Sequence, residues 1–276
     1  MSPACAAALA FGAMHGFPVG EPEVLHDGSN LLVRLTPAPV VVRVATFTAF
    51  IRRDPLPWLQ REVSLASYLA SVGASVVPPS DAVAPGPHFV DGWWMTAWRY
   101  VPHDASAVPS VHEMFPALDE LHGALAGYPG ELPFYGPASS DLDLALACCV
   151  DHELLTSEVA AATRSQRDEL LALVAHLPRQ AQHGDAHPRN VLVGADGQLI
   201  WNDFEDCCFG SPLWDLATLA RRDETGAAAG VAQDRYGAAA FDAVNGLRAL
   251  QAEAWTVLHS ARRENRIERG DRHVRE

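Results

Sequence analysis

The sequence predicts an α+β fold in which a small antiparallel β-sheet with one helix precedes a mostly α-helical region. Short segments rich in β-branched and aromatic residues, separated by turn residues, occupy the first hundred or so positions. Beyond Pro102, apolar residues recur every three or four positions, which is typical of amphipathic helices. The change of pattern at Pro102 predicts two domains, residues 1–101 and residues 102–276.

The N-terminal region predicts a β-hairpin, a third strand, a helix and two further strands. The turn at residues 27–30 contains glycine between two strand patterns, which favours a hairpin. Arg43 is the only charge in the third strand, and Glu62 lies beside the apolar stripe of the following helix. The predicted elements are a short helix within residues 9–20, strands at 23–26, 31–35 and 40–45, a helix at 57–72, and an aromatic strand at 92–101 that completes a second hairpin.

The C-terminal region predicts a series of helices and one hairpin. Ser110 and Glu113 have the spacing of a capping box at the start of the first helix. The turn at residues 194–197 joins two short apolar segments, which predicts a hairpin. Further helices are predicted at residues 141–150, 154–162, 165–177, 212–222, 238–245 and 247–261.

Composition excludes several classes of function. The formal net charge is -14 and no basic face is visible, so the sequence predicts no nucleic-acid partner. All 20 basic side chains are arginine, which excludes chemistry that needs a lysine amine. No segment has the ~18 consecutive apolar residues of a membrane span. Five cysteines without a Cys-x-x-Cys motif predict reduced thiols and a cytoplasmic protein.

The segment from residue 183 to residue 206 concentrates polar side chains around a predicted hairpin. His183, Asp185 and Asn190 precede the hairpin, and Asp203 follows it. His183 and His187 have the spacing of a zinc-binding pair on a helix. Zinc proteases of that type carry Glu directly after the first His on an unbroken helix, whereas Gly184 and Pro188 interrupt this segment. We therefore assign structural roles to the two histidines.

The pattern His183-x-Asp185-x4-Asn190, followed by Asp203-Phe204-Glu205, resembles the catalytic loop and metal-binding segment of kinases. More specifically, it is similar to the aminoglycoside phosphotransferase and choline kinase group of small-molecule kinases. Residues 20–260 can be threaded onto that family. The resemblance implies a two-lobed protein-kinase-like fold, with an N-terminal nucleotide-clamp lobe and a C-terminal lobe that carries the catalytic loop and the acceptor site.

The resemblance also implies roles for individual residues. Asp185 would orient the acceptor hydroxyl group and take its proton as a base. Asn190 and Asp203 would hold Mg²⁺, which prefers oxygen ligands and keeps several waters. Asp215 would anchor the catalytic loop, a structural role. In each case the alternative is an ordinary loop or capping residue.

A nucleotide, ATP or GTP, is the phosphate donor that the family implies. Arg43 stands where the general kinase pattern has Lys, and its guanidinium group can pair with phosphate or with Glu62. The turn with Ser29 and Asn30 would contact the phosphates, although it has one glycine where kinases have a glycine-rich loop. The backbone of the inter-lobe hinge would meet the nucleotide base, and its predicted residues are Ala97, Trp98, Arg99 and Tyr100.

Acidic residues near the predicted site are the candidates for acceptor binding. Residues 104–260 hold 23 acidic residues and 8 arginines, which predicts a negative potential around the site. Desolvated ammonium groups need carboxylate partners, which favours a cationic acceptor. The alternative is that these acids belong to solvated helix surfaces. The candidates are Glu205, Asp206, Asp151, Glu153, Asp141 and Asp143.

The sequence thus predicts a Mg²⁺-dependent kinase of a small hydroxylated, cationic molecule, with an aminoglycoside-like antibiotic as the first candidate. A metabolite kinase for choline, homoserine or a sugar is the alternative within enzymes. A catalytically silent nucleotide-binding module is the alternative from another class. The presence of Asp185, Asn190 and Asp203 together argues against a silent module.

Overall fold

The computed structural model describes residues 1–18 and 20–267. In chain order the strands are β1 (Glu23–Asp27), β2 (Asn30–Arg34), β3 (Val40–Ala45), β4 (His88–Val90), β5 (Trp93–Arg99), β6 (Gln180–Gln182), β7 (Val191–Val193), β8 (Leu199–Trp201) and β9 (Cys208–Gly210). The helices are α1 (Pro3–Met14), α2 (Phe47–Arg52), α3 (Leu56–Ser71), α4 (Val111–Leu125), α5 (Ser140–Asp151), α6 (Ser157–Val174), α7 (Leu213–Ala220), α8 (Ala227–Tyr236) and α9 (Ala238–Arg263).

The N-terminal sheet is antiparallel, with the strand order β1-β2-β3-β5-β4. Alternate side chains of β3 point to opposite faces, as in any pleated strand. Val40, Val42 and Val44 pack in one apolar cluster with α1. Val41 lies on the opposite face and packs in a second cluster with residues of α3. Arg43 shares the face of Val41, so the only charge of β3 is directed toward α3 and away from the layer that α1 covers.

The helical region packs around α9, the longest described helix. This helix contacts α5, α6, α7 and α8. A large apolar cluster joins α4, α7, α8 and the first turns of α9. A separate cluster joins α5, the remainder of α9 and the short helix α2 from the N-terminal region. The C-terminal part of α9 therefore lies against both the helical region and α2, the helix that follows β3.

Two short β-ribbons position the loops between them. Strand β6 pairs with β9, and β7 pairs with β8, both antiparallel. The loop after β6 and the segment before β9 therefore lie side by side. Gly184 is required at this point: its φ is +91°, and a Cβ atom there would approach the carbonyl oxygen of Asp206 to 1.8 Å.

Most of the predicted elements are confirmed, including the α+β class, the extent of β3 and the capping box at Ser110. Two predicted breaks are wrong. Residues 154–162 and 165–177 do not form two helices, because residues 157–174 make one continuous helix, α6. Residues 238–261 also belong to one helix, α9, although Gly246 suggested a break. A Cβ atom at Gly246 would lie 3.1 Å from Leu170, so this glycine permits the close packing of α6 on α9.

Three further helices, α1, α2 and α8, differ from the predictions for identifiable reasons. Helix α1 begins at Pro3 rather than near residue 9, because Ser2 caps it and Pro3 occupies its first turn. Helices α2 and α8 were not predicted. The first has only six residues, and the second is rich in alanine and glycine without an apolar stripe. Within the described ranges, no helix has the length and hydropathy needed to span a bilayer.

Candidate active site

A cavity of about 660 Å³ lies between the N-terminal sheet and the helical region. Residues of β2, β3 and the end of β5 line one side of it. The loop after β6, the segment after β8 and one face of α9 line the other side. Asp185, Asn190 and Asp203, which the sequence predicts to act together, all line this cavity.

The Asp185 carboxylate is held from two directions. Arg248 of α9 places Nη2 2.8 Å from Oδ1. On the other oxygen, Oδ2, His187 places Nε2 at 3.2 Å and Asn190 donates from Nδ2 at 3.3 Å. Burial alone would raise the pKa of Asp185, but the contact with His187 and the charge of Arg248 lower it overall. The side chain remains 28% exposed to the cavity, so an ionised carboxylate faces the space where a substrate would bind.

Asp215 at the start of α7 holds the catalytic loop. Its Oδ2 accepts a hydrogen bond from the backbone N–H of His183 (3.0 Å), and its Oδ1 accepts one from the N–H of Gly184 (2.9 Å). His122 of α4 adds a third contact, with Nε2 2.9 Å from Oδ2. Trp214 donates from its indole nitrogen to the carbonyl oxygen of Gly184 (2.7 Å). The backbone before Asp185 is thus fixed by two side chains of α7, and His122 of α4 holds one of them in place.

We expect Asp215→Asn to lower the free energy of unfolding by about 2–3 kcal/mol, because the amide nitrogen would face buried N–H donors that now have an acceptor. Urea unfolding measures the change. Asp196→Asn is the matched control, since the Asp196 carboxylate caps an exposed turn through Gln198. That control should alter stability by no more than ~0.5 kcal/mol. Equal effects of the two changes would contradict the anchoring role of Asp215.

The hairpin of β7 and β8 brings Asn190 and Asp203 to neighbouring chain ends. The N–H of Asn202 donates to the carbonyl oxygen of Asn190 (3.0 Å), which ties the two ends together. Asn190 donates from Nδ2 to the carbonyl oxygen of Asp185 (2.9 Å), so its amide oxygen is the atom left to accept. No described donor bonds that oxygen. Asp203 adopts a φ of +65°, a left-handed conformation that is uncommon outside glycine.

These two residues fit a divalent cation. Asp203 Oδ1 is buried without a hydrogen-bond donor, although Arg43 Nη2 lies 2.9 Å from it. Burial raises the pKa of Asp203 and Arg43 opposes this effect, with a net rise. In the described part of the chain, no group of three or more His, Cys, Asp or Glu side chains could hold a metal. A carboxylate and an amide oxygen are hard ligands suited to Mg²⁺, with phosphate oxygens and water completing its coordination.

Arg43 and Glu62 form a buried ion pair between β3 and α3. Arg43 also lies 2.9 Å from Asp203 and 2.6 Å from Glu205. Burial raises the pKa of Glu62 to about 8 against the opposing charge of Arg43. The three surrounding carboxylates raise the pKa of Arg43, so it stays protonated despite its burial. One guanidinium group therefore links the sheet, α3 and the segment after β8.

A second buried arginine, Arg52 at the end of α2, joins both regions of the molecule. Its Nε lies 3.0 Å from Asp141, and its two terminal nitrogens lie 3.2 Å from Glu205 and 2.5 Å from Asp206. The carboxylates raise the pKa of Arg52 well above its usual value in spite of burial. Trp58 packs against the guanidinium plane, with its ring centre 3.9 Å away.

The turn between β1 and β2 contacts the helical region. Ser29 Oγ lies 3.4 Å from His259 Nε2 of α9, and Arg262 donates to the carbonyl oxygen of Gly28 (2.7 Å). Asn30 donates to Glu205 (3.1 Å) and accepts from Thr48. Both Ser29 and Asn30 line the cavity, as the sequence predicts, but their side chains already have protein partners.

The chain at the end of β5 and just after it lines the cavity. The N–H groups of Ala97, Arg99 and Tyr100 donate to carbonyl oxygens of Pro85, Pro78 and Pro39. The N–H of Val101 has no acceptor among the described residues. Trp98, Arg99, Tyr100 and Val101 line the cavity, whereas Ala97 does not. Three of the four predicted hinge residues therefore line the cavity, together with Val101, which was not predicted.

The six acids proposed for acceptor binding do not cluster at one place in the structure. Five of them form described ion pairs, in each case with arginine. Glu205 and Asp206 line the cavity in contact with Arg52. The other four do not line it. Asp141 is fully buried between Arg52 and Trp255, Asp143 contacts Arg164 and Arg167, Asp151 contacts Arg53, and Glu153 follows the end of α5.

Two arginines of the site were missed in the sequence. Arg248 stands between apolar residues of α9 and reaches Asp185, 63 positions earlier. Arg52 lies in α2, which was not predicted. The sequence signal that could have identified Arg248 is a charged residue within the apolar stripe of a predicted helix. His183 and His187 serve the loop itself: the first lies 3.0 Å from the carbonyl oxygen of Asn202, and the second contacts Asp185.

The chain is similar in sequence and in fold to known proteins. A family model described as APH, the phosphotransferase enzyme family, matches residues 23–252. No curated protein matches the sequence at a significant level.

Several solved structures have the same fold. Amicoumacin kinase hAmiN, solved with AMP-PNP, Ca²⁺ and Ami, has a TM-score of 0.67 at 14% identity, covering 92% of this chain and 86% of that chain. Choline kinase LicA from Streptococcus pneumoniae has a TM-score of 0.62 at 17% identity, covering 96% and 94%. Aminoglycoside phosphotransferase APH(3'')-Id from Streptomyces rimosus has a TM-score of 0.61 at 16% identity, covering 91% and 99%. The predicted protein-kinase-like fold is confirmed.

Proposed function

The chain belongs to the APH phosphotransferase enzyme family, and from that premise we propose that it transfers the γ-phosphate of ATP or GTP to a hydroxyl group of a small molecule. The observation that supports this reaction is the convergence of Asp185, Asn190 and Asp203 in one cavity beneath the Arg43 to Glu62 pair. We also propose lobe boundaries at residues 1–101 and 102–276.

Asp185 is the base in this proposal. Its Oδ1 contacts only Arg248 and keeps a free acceptor direction, whereas Oδ2 already has two protein contacts, and the exposed part of the group faces the cavity. The acceptor hydroxyl donates to Asp185, its oxygen attacks the γ-phosphorus, and the bond to the β,γ-bridging oxygen breaks. The hydroxyl proton passes to Asp185 and the nucleoside diphosphate leaves. Alignment and charge neutralisation carry most of the catalysis in such a transfer.

Asn190 and Asp203 are the residues that would hold Mg²⁺. The ion would neutralise phosphate charge when bound. Asp203 already shares its carboxylate with Arg43, so the protein keeps this side chain in place before a cation arrives. On the opposite side, the N–H of Val101 and the apolar side chains of Leu32, Val41 and Leu192 suit a purine base.

Two groups of acceptors are candidates. An antibiotic acceptor, as in a resistance enzyme, is suggested by the names of the amicoumacin and aminoglycoside enzymes, and a metabolite acceptor by choline kinase. The nearby acids no longer support a cationic acceptor by themselves, because those at the cavity are paired with arginine. Use of a cellular nucleotide, together with cysteines that are free in the described chain, supports a cytoplasmic location.

The test is a screen of hydroxylated metabolites and antibiotics for acceptor-stimulated release of ADP or GDP in the presence of Mg²⁺. A stimulating acceptor and a phosphorylated product would support the proposal. Metal-dependent nucleotide binding without turnover of any acceptor would favour the silent binding module.

We expect Asp203→Asn to raise the Mg²⁺ concentration needed for half-maximal nucleotide binding by at least ~10-fold, because one anionic ligand is lost. Calorimetric titration at several Mg²⁺ concentrations measures this. Asp91→Asn, in the turn between β4 and β5, removes the same charge outside the cavity lining and is the control. An unchanged metal requirement in Asp203→Asn would remove Asp203 from the metal site.

A further inference from the structure

The charges that line the cavity differ from those of the whole chain. The formal net charge of the protein is -14. The cavity lining nevertheless holds six arginines and five carboxylates among the described residues. Every one of those carboxylates contacts an arginine of the same lining: Arg43 contacts Glu62, Asp203 and Glu205, Arg52 contacts Glu205 and Asp206, and Arg248 contacts Asp185.

Two of the cavity arginines have no such partner. Arg189 stands between His187 and Asn190 in the catalytic loop, and Arg222 follows the end of α7. Both side chains are exposed to the cavity, and no carboxylate of the described chain lies within ion-pair distance of either. Arg99, by contrast, is paired with Asp81. Five carboxylates of the lining share three arginines, so the positive charges of the lining that lack an ion-pair partner are those of Arg189, in the catalytic loop, and Arg222, just after α7.

The neighbourhood of Arg222 strengthens this positive potential. Burial lowers the pKa of the adjacent Arg221, and the charges of Arg248 and Arg222 lower it further, while Glu253 opposes them. Arg248 is 7% exposed, and its Nε has no hydrogen-bond partner. An ammonium group entering here would meet like charges and would find no unpaired carboxylate in the described cavity lining.

The adjoining face of α9 supplies neutral contacts. Gln251, Ala252, Trp255 and Thr256 follow Arg248 at helical spacing and line the cavity. Trp255 donates from its indole nitrogen to Asp141 (2.9 Å), which fixes its ring as a flat apolar surface. This wall suits the carbon skeleton and hydroxyl groups of a small polyol or ring compound.

We propose that the acceptor is a hydroxylated molecule that carries an anionic group, a carboxylate or a phosphate, bound by Arg222 and Arg189 while its hydroxyl group faces Asp185. The inference rests on the proposed phosphotransfer and names its substrate class. Guanidinium groups bind carboxylate and phosphate through charge-assisted, often bidentate hydrogen bonds. Two such groups in the lining of the same cavity would select against a cationic acceptor and orient an anionic one.

Acceptors matched in skeleton and different in charge test the proposal. One set is glycerate, glycerol phosphate, glycerol and aminopropanediol, and the other is glucuronate, glucose and glucosamine. With saturating Mg²⁺ and nucleotide, we expect kcat/KM to be about tenfold or more higher for the anionic members than for the neutral ones, and lowest for the amines. A tenfold difference corresponds to the contribution of about one charge-assisted hydrogen bond. Comparison of glycerate with glycerol phosphate identifies the anionic group.

The double variant Arg189→Gln/Arg222→Gln should abolish this preference by raising the acceptor KM about tenfold or more without changing the nucleotide KM. Arg235→Gln removes a charge on α8 outside the cavity lining and should keep the preference. A rise in the nucleotide KM instead of the acceptor KM would overturn the proposal, since the arginines would then serve the donor.

Turnover that favours the amines would overturn this inference and leave the phosphotransfer standing. If no member of either set is phosphorylated, the same compounds are titrated calorimetrically into enzyme loaded with Mg²⁺ and AMP-PNP. Preferential binding of the anions, lost in the double variant, supports the inference. Equal or preferential binding of the amines overturns it.

Discussion

Asp185→Asn lowers the turnover number for phosphotransfer by about 100- to 10,000-fold, because the amide cannot take the proton of the acceptor hydroxyl group. The amide oxygen can still accept from Arg248, so we expect the loop to keep its position. Steady-state kinetics with an acceptor from the screen measures the loss. Nucleotide affinity in the presence of Mg²⁺ should change little, since Asn190 and Asp203 remain.

Asp234→Asn on the exposed surface of α8 is the matched control and should leave turnover unchanged. Urea unfolding of both variants separates chemistry from stability, because Asp185→Asn leaves the buried Arg248 without its anionic partner. If Asp185→Asn retains the turnover of the parent protein, Asp185 is not the base. If turnover and stability fall together in proportion, its role is structural.

Arg52→Met lowers the free energy of unfolding by about 3–5 kcal/mol at neutral pH, the cost of leaving buried carboxylates without their cation. The change affects three of them, Asp141, Glu205 and Asp206, although Arg43 still contacts Glu205. Methionine keeps an apolar side chain of similar length against Trp58, so the lost charge is the main difference. Urea unfolding measures the effect.

Arg53→Met is an unusually close control because Arg53 is the next residue and also forms an ion pair, with Asp151. Both members of that pair are more than half exposed, and exposed pairs contribute about 0–1 kcal/mol. Equal destabilisation by Arg52→Met and Arg53→Met would contradict the idea that the buried network joins the two regions of the molecule.

The effect of Arg52→Met should depend on pH in a defined direction. Burial already raises the pKa of Asp206 well above its usual value, and Arg52 opposes that rise. Without Arg52, the folded protein binds a proton at Asp206 at still higher pH than the unfolded chain does. Stability is therefore lost as pH rises through the folded pKa of Asp206, and the deficit of the variant shrinks as pH falls from about 7 toward about 5. A deficit that grows over this interval would exclude the explanation.

Local patterns in the chain predict the elements that carry the reaction centre. β-Branched residues predict β3, and a three- and four-residue spacing predicts α3, while the resemblance to kinases implies that Arg43 can pair with Glu62. Hydrophobic periodicity predicts the ends of helices less well where tertiary packing determines them. The break expected at Gly246 does not occur, because the close approach of Leu170 gives this glycine a packing role inside one long helix.

The sequence by itself determined the positions of the proposed base, Asp185, and of the proposed metal ligands, Asn190 and Asp203, since the three lie within one short segment whose hairpin brings them together. Only the tertiary structure decided the electrostatics around them. Arg52 meets Asp141 across 89 residues, and Arg248 meets Asp185 across 63. A count of acids along the chain predicted an anionic pocket. Ion pairs, however, depend on distances in the folded protein, which a sequence does not give. Folding pairs the carboxylates of the cavity with arginines and leaves Arg189 and Arg222 unpaired.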